Sequence, residues 1–252
     1  MVISNRSTVY FISDAHFGLG ADDDRVEVFT ALAVEMRECA AALYIVGDLF
    51  DFWIEYRCAI RPDYFLVLHT LRGLVEAGVN VCYVTGNHDF AIGSFLEDTT
   101  GITVHRGGVD TVLQGRRLYI SHGDRAHKNG VPGIIDRLLR NRFLQALYKM
   151  IHPNIGVKLG MLCSAMLKKR SVSGHAPEKD LEKCRQAARA RLKTGECDLV
   201  IFAHTHYAEL LEFDGGQGQY CNTGSWMGSR DYATLRDGKI QLHRRVTEGR
   251  AL

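Results

Sequence analysis

The sequence predicts an α/β protein in which a parallel sheet is followed by a basic helical insertion and then by antiparallel strands. Three observations lead there. Strand-length apolar runs alternate with helix-period segments over residues 8–86. Three further helix-period segments, rich in Lys and Arg, lie within 125–196. Short alternating strands joined by glycine-containing turns fill most of the remaining chain.

Taken in order, "TVYFIS" (8–13) reads as a buried strand, being a short run of β-branched, aromatic and aliphatic residues. Residues 24–38 have helical spacing, with Val26, Phe29, Leu32, Ala33 and Met36 on one face. "AALYIVG" (41–47) is a second buried strand. Residues 63–77 form an amphipathic helix started by Pro62 and ended by Gly78. "VNVCYVTG" (79–86) is a third strand, and strands alternating with helices imply parallel pairing through right-handed crossovers. "TVHR", "DTVLQGRRLYIS" and "CDLVIFAH" are further strands. "AELLEF", "GQYCNTGS", "DYATLRDG" and "KIQLHRR" have the look of antiparallel strands, forming either a second sheet or the antiparallel part of a mixed one. Helical patterns occupy 133–150, 155–169 and 178–194.

The bulk numbers suit one large domain, or one domain with a sizeable insertion: 252 residues, 46% hydrophobic and 24% charged. The net charge of +2 points to no particular partner, but its distribution is uneven. From Arg125 to Lys193 there are 16 basic and four acidic residues, a local +12, which leaves −10 for the rest. The seven cysteines include no CxxC pair, so buried free thiols in a reducing compartment are expected. "MVISNRSTVYFISD" shows no signal-peptide pattern and no apolar run reaches membrane-spanning length, which makes the cytoplasm the expected location.

The chemistry sits where the strands stop. The first ends in "SDAH" with Asp14 and His16, the second in "GDLFD" with Asp48 and Asp51, the third in "GNHD" with Asn87, His88 and Asp89. Later ones end in "SHGD" with His122 and in "LVIFAHTH" with His204 and His206. Carboxyl ends of parallel strands line one crevice, so five ends bring two Asp, one Asn and four His together. Oxygen and imidazole donors without thiolate suit Mn, Fe or Zn. Seven donors exceed one tetrahedral site and fit two ions if a carboxylate is shared. D-x-H and H-x-H each place two side chains on one face of an extended strand end. Two such ions clamp a phosphate and acidify a water. Asp51 is open between orienting a ligand and serving as a turn carboxylate.

As an ordered set, "DAH…GDLFD…GNHD…HGD…AHTH" resembles the calcineurin-like metallophosphoesterase superfamily. The resemblance implies two packed mixed β-sheets flanked by helices, with residues 1–124 and 197–252 as the core and 125–196 as a basic helical lid. It implies that Asp14, His16, Asp48 and His206 hold one metal, and that Asp48, Asn87, His122 and His204 hold the other, with Asp48 shared. It gives His88 the substrate phosphate and the leaving oxygen, and Asp89 the task of orienting His88. "NTGSW" (222–226) resembles the superfamily's late Asn-x-Gly-Ser turn near the site.

Within that group, "GDLFDFWIEY", "GNHDFAIG" and the helical insertion between HGD and HTH resemble the UDP-2,3-diacylglucosamine hydrolase family of lipid A biosynthesis. That resemblance implies cleavage of a pyrophosphate to UMP and 2,3-diacylglucosamine 1-phosphate, with two divalent ions, manganese foremost and iron or zinc as alternatives. It implies a lipid-linked nucleotide substrate and a basic amphipathic lid on the inner membrane surface. Asn87 and His88, with Lys169, Arg170 and Ser171 of the insertion, are the substrate-binding candidates. The chain departs from the better-known branch at His88, where that branch has Arg, and after HGD, where "RAHKNGVPG" lacks an acidic substrate contact.

Other readings fit less of the pattern. A soluble phosphodiesterase or phosphatase acting on nucleotides or phosphoproteins shares the motif set and is separated by its indifference to detergent and lipid. A non-catalytic binding module needs missing ligands, and none is missing. Nucleic acid is not expected, because the basic segment is rich in aliphatic residues and poor in interleaved aromatics.

Overall fold

The computed structural model describes residues 6–20, 23–89, 91–126, 141–171, 178–216 and 218–245, with the backbone alone at 23, 163–171 and 214. Two mixed sheets pack face to face. The first has the order β11-β10-β1-β2-β3-β4 and the second β5-β6-β7-β9-β8. In the first, β1 (Thr8–Ile12), β2 (Ala40–Val46), β3 (Asn80–Val84) and β4 (Thr103–His105) run parallel. The hairpin of β10 (Asp231–Arg236) and β11 (Lys239–Arg244) adds antiparallel to β1. In the second sheet, β6 (Arg116–Ile120), β7 (Leu199–Phe202) and β9 (Gly218–Thr223) are parallel neighbours, edged antiparallel by β5 (Val109–Leu113) and β8 (Ala208–Phe213).

Period-two alternation sorts the side chains into layers. Val9, Phe11, Tyr44, Val46 and Val84 of the first sheet meet Leu118, Ile120, Leu199 and Ile201 of the second in the central layer. Their neighbours Ile12, Leu43, Ile45 and Tyr83 face outward against α1 (Asp23–Cys39) and α2 (Phe65–Glu76), which contribute Phe29, Leu32, Met36, Val67, Leu71 and Leu74. Such fully buried large side chains each contribute about 1.5–3 kcal/mol. On the far side, α6 (Glu178–Lys193) sets Cys184 and Ala188 against Val200, Phe202 and Tyr220.

The expected α/β sandwich with inserted helices is the fold observed. Among the described residues three helices lie between β6 and β7: α4 (Arg142–Lys149), α5 (Pro153–Ser171) and α6. Of the helix expected at 133–150, residues 133–140 lie outside the described residues. The next begins at Pro153, a residue suited to the first helical position, after a break at Met150–His152. Helix α3 (Phe95–Thr100) has six residues, too few for a periodic signal, and ends at Gly101 with φ +77°. The four strands after β7 do not form one sheet. β8 and β9 stay in the second, and β10 and β11 cross to the first. The crossing is fastened by Trp226 N–H to Ser13 O (3.0 Å) and Met227 N–H to Asp14 O (3.0 Å). Alternation identifies a strand but carries no record of its partner. Among the described residues no helix is long and apolar enough to cross a membrane.

Candidate metal centre

The carboxyl ends of β1, β2, β3, β6 and β7 open at the same end of the sandwich, and all seven expected donors gather there. The β1–β2 ladder continues past the strands: Asp14 N–H donates to Gly47 O (3.2 Å), His16 N–H to Asp48 O (3.1 Å), Phe17 N–H to Leu49 O (2.9 Å), and Asp51 N–H to Phe17 O (3.0 Å). Yet the chain is not extended there. Asp14, His16, Asp48, His204 and His206 all have positive φ, between +46° and +69°. Non-glycine residues rarely occupy that region, and when they do it is characteristically at sites whose geometry the surroundings impose. The two glycines of "GD" and "GN" make room. A side-chain carbon at Gly47 would overlap the His122 ring, and one at Gly86 would overlap Asp48 Oδ1.

The donors form two adjoining groups. Asp14 Oδ1 lies 3.1 Å from His206 Nε2 and 3.9 Å from His16 Nε2. His122 Nδ1–H donates to Val46 O (2.8 Å), which turns Nε2 toward the cluster. That Nε2 stands 3.1 Å from Asn87 Oδ1, 3.3 Å from Asp48 Oδ2 and 3.3 Å from His204 Nδ1. Asp14–His16–His206 and Asp14–Asp48–His122 each place one ligand atom per residue within 4.8 Å of the others, and so does His16–Asp51–His88. Carboxylate and amide oxygens converging with imidazole nitrogens make a donor set for two borderline or hard divalent cations, and the backbone carbonyl behind His122 fixes its ligating tautomer. Nothing in this set selects one such metal over another.

Electrostatics support that reading. Burial works to raise the carboxyls of Asp14 and Asp48, but His206 beside the first and His122 beside the second hold both well below the usual range. Burial likewise disfavours the charged forms of His122 and His206. The carboxylates of Asp48 and Asp14 respectively outweigh it and raise both imidazoles. The metal-free site therefore keeps anionic carboxylates against imidazolium protons, which cations replace.

The remaining candidates are placed as follows. His88 is half-buried; its backbone N–H donates to Asp48 Oδ1 (2.9 Å) and its Nδ1–H to Asp51 O (2.7 Å). Asp89 is buried. Its Oδ2 accepts from the N–H groups of Asp48 (2.9 Å) and Gly86 (2.8 Å), and its Oδ1 from Tyr83 O–H (2.8 Å). Burial and the nearby Asp48 charge push its carboxyl up to about 6. Asp89 thus ties the ends of β2 and β3 together, and the hydrogen bond that orients His88 comes from Asp51. The "NTGS" turn backs the site: Asn222 Nδ2–H donates to Ala203 O (2.9 Å) and Ser225 O–H to Asp14 O (3.1 Å). Lys169, Arg170 and Ser171 fall in the last turn of α5, where the side chains lie outside those described.

A cavity of about 540 Å³ lies between α5 and the 52–64 loop, which follows Asp51 in the chain. Phe52, Trp53, Tyr56, Ile60, Val157 and Met161 give it apolar walls. The loop is held by an aromatic cluster, with Phe50–Trp53 centroids 4.7 Å apart and Phe50–Tyr64 4.5 Å apart. Helix α5 reaches it through Gly156 and Gly160, one turn apart, where side chains would overlap Tyr56 and Phe52. The opposite face of α5 exposes Ile155, Leu159 and Leu162, and α4 exposes Phe143 (76%), Leu147 and Met150 (81%).

Comparison with known proteins bears on these features. Residues 7–208 match the Calcineurin-like phosphoesterase family. The chain is similar to a UDP-2,3-diacylglucosamine hydrolase of Porphyromonas gingivalis, at 31% identity over 220 residues, 80% of this chain and 84% of that protein. It is also similar to a UDP-2,3-diacylglucosamine hydrolase of Aeromonas salmonicida, at 25% identity over 242 residues, 94% and 92% of the two chains. A solved archaeal phosphodiesterase shares the fold, with a TM-score of 0.50 at 12% identity over 94% of this chain and 99% of that one.

Proposed function

Because the chain belongs to the calcineurin-like phosphoesterase family and is a metal-dependent phosphoester hydrolase, we propose that it cleaves the pyrophosphate of UDP-2,3-diacylglucosamine to UMP and 2,3-diacylglucosamine 1-phosphate. The observation that carries the chemistry is the convergence of seven donors from five strand ends. Asp14, His16, Asp48 and His206 would hold one divalent ion, and Asp48, Asn87, His122 and His204 the second; manganese is the ion the family resemblance implies, and the donor set admits iron or zinc equally. Bound there, the ions supply Lewis acidity toward phosphoryl oxygens and lower the pKa of water.

The chain's own groups do the rest. With Nδ1–H committed to Asp51 O, His88 offers Nε2 to the substrate phosphate and holds the proton that the leaving oxygen takes up. Asp89 keeps the "GNHD" loop in register with Asp48, so that Asn87 and His88 stay at the cluster. Asn87, Lys169, Arg170 and Ser171 are assigned to substrate phosphates and headgroup.

The lipid half of the substrate is supported by the apolar cavity against α5, which suits acyl chains, and by the similarity to the two named hydrolases. The membrane assignment is supported by the outward apolar rows of α4 and α5, flanked by Arg142, Lys149 and Lys158. On this reading the enzyme works in the cytoplasm, peripheral on the inner membrane, with residues 125–196 as its lid. The test is mass spectrometry of UDP-2,3-diacylglucosamine incubated with the chain and Mn²⁺. UMP and the lipid 1-phosphate are expected. Intact lipid nucleotide, beside rapid cleavage of a small chromogenic phosphodiester, would keep the hydrolase and remove the lipid substrate.

A further inference from the structure

The proposed chemistry gives the acyl chains a cavity and the phosphates a metal centre, and it leaves the nucleoside unplaced. A second cavity, of about 260 Å³, lies on the outer face of the second sheet, between α6 and the ends of β3 and β6. The chain itself ties its walls to the cluster. Ser121 and Gly123 stand on either side of His122, and Thr85 is two residues before Asn87. Consecutive Cα atoms are about 3.8 Å apart, so the cavity begins within a residue or two of His122 and Asn87. Its lining is mixed. Tyr119 and Phe202 supply an aromatic pair, edge to face with centroids 6.2 Å apart. Arg191 lies over the Tyr119 ring (4.6 Å) and is bound to Asp110 (2.7 Å) and Glu196 (3.0 Å), so it builds the wall. The polar part is not engaged. Among the described residues the Thr85 and Ser121 hydroxyls and the Asp124 carboxylate take part in no side-chain hydrogen bond, while Asp124 lies within electrostatic reach of His122 and Cys184.

We infer that this cavity is a nucleoside subsite, holding the pyrimidine and ribose of a uridine 5′-phosphate whose phosphate lies at the metal cluster. Its size suits one moiety of a larger ligand, since whole small molecules usually occupy about 300–1,000 Å³. A single-ring base presents flat faces to the aromatic pair, and alternating carbonyl and N–H groups to the hydroxyls of Thr85 and Ser121. A carboxylate suits the ribose diol, as acidic residues do in dinucleotide sites. An acyl chain would instead cover the hydroxyls and the Asp124 carboxylate with methylenes, and burying polar groups without partners is costly. The exposed Arg125 adds a cation at the rim. The two cavities are thus tied to different donor strands, the apolar one to β2 through the 52–64 loop and this one to β3 and β6. A substrate split at its pyrophosphate has two such unlike halves. This placement rests on the reading of the chain as a nucleotide pyrophosphatase.

The test is calorimetric titration of UMP, ribose 5-phosphate and inorganic phosphate into the full chain in Mn²⁺ buffer. Wild type should bind UMP at least about 10-fold more tightly than ribose 5-phosphate, the scale of base–aromatic contact. Ala187, half-buried on α6, is the small side chain that leaves the space open. Ala187→Phe fills the cavity and should cancel the advantage of UMP while inorganic phosphate binds as in wild type. Ala187→Met, an unbranched helix former that occupies the same space, should act in the same direction and decides the matter if Ala187→Phe folds poorly. UMP binding no tighter than ribose 5-phosphate in wild type, or an advantage that survives both substitutions, overturns the subsite even where the lipid nucleotide is cleaved. A UMP advantage lost on filling the cavity, beside intact UDP-2,3-diacylglucosamine, keeps the subsite and removes the lipid substrate.

Discussion

Single side chains divide here into those that hold cations and those that hold the holders. Asp48 is in the first class twice over, with Oδ2 toward His122 and Oδ1 accepting from His88 N–H. Asp48→Ala should bring hydrolysis near background and strip most bound metal, measured by elemental analysis of the purified variant. Retention of both would remove Asp48 as the shared ligand. His88→Ala should slow turnover about 10²- to 10⁴-fold with metal content unchanged; an unaltered rate would exclude it as proton donor. The protonated His122 and His206 of the metal-free site give a pH prediction. Their raised values make a stability contribution that is fully present below about pH 6.5 and lost as pH rises through the folded values. The lowered carboxyls of Asp14 and Asp48 contribute above about pH 3.9 and lose that contribution as pH falls through their folded values. Since cations displace the imidazole protons, Mn²⁺ affinity should fall with falling pH and binding should release protons, which calorimetry in buffers of different ionisation enthalpy detects. Zero proton release would contradict the site's charge pattern. At this scale the sequence is most legible for the donors, because an apolar run ending in Asp, His or Asn stands out. It is silent on Asp51, whose hold on His88 runs through a carbonyl that any residue has, and on the left-handed backbone of five donors that are not glycine.

Among the elements, α5 is built the wrong way round for a helix that only packs on its own protein. Its inner face has Gly156 and Gly160 beside the cavity-lining Val157 and Met161, and its outer face Ile155, Leu159 and Leu162. The glycines let it approach Phe52 and Tyr56, so Gly160→Leu should cost about 1–3 kcal/mol by overpacking and shift the emission of Trp53, read against thermal unfolding. An unchanged midpoint would mean that the helix is not seated there. Helix α4 begins at Asn141, whose Oδ1 accepts from Phe143 N–H (2.9 Å) and Leu144 N–H (3.1 Å), and it turns Phe143, Leu147 and Met150 outward. If this face meets a bilayer, Phe143→Glu with Met150→Glu should lower flotation with anionic vesicles several-fold, and equal flotation would dismiss the membrane face. The apolar and basic pattern of both helices is plain in the sequence. Which stripe faces inward is not, because residue hydrophobicity alone favours burying the aliphatic row, and only the close approach allowed by two glycines reverses it.

Across the whole molecule, the fold is a device for bringing remote strand ends together. Residues 14 and 206 are far apart in the chain, yet Asp14 Oδ1 and His206 Nε2 are 3.1 Å apart because β1 and β7 end at the same level in facing sheets. The alternation of strands and helices made the parallel half legible. The return of β10 and β11 to β1 was not, since it depends on the turn at Trp226 docking on Ser13 and Asp14. That docking also joins the last hairpin to the site, so the C-terminal strands support catalysis without supplying a donor. The central claim is that this convergence holds a pair of cations. Anomalous diffraction from crystals equilibrated with Mn²⁺ tests it most directly. Two peaks about 3.5–4 Å apart, on either side of Asp48 and within reach of Asp14, His122 and His206, are the predicted result; a map without anomalous density among these side chains would contradict it.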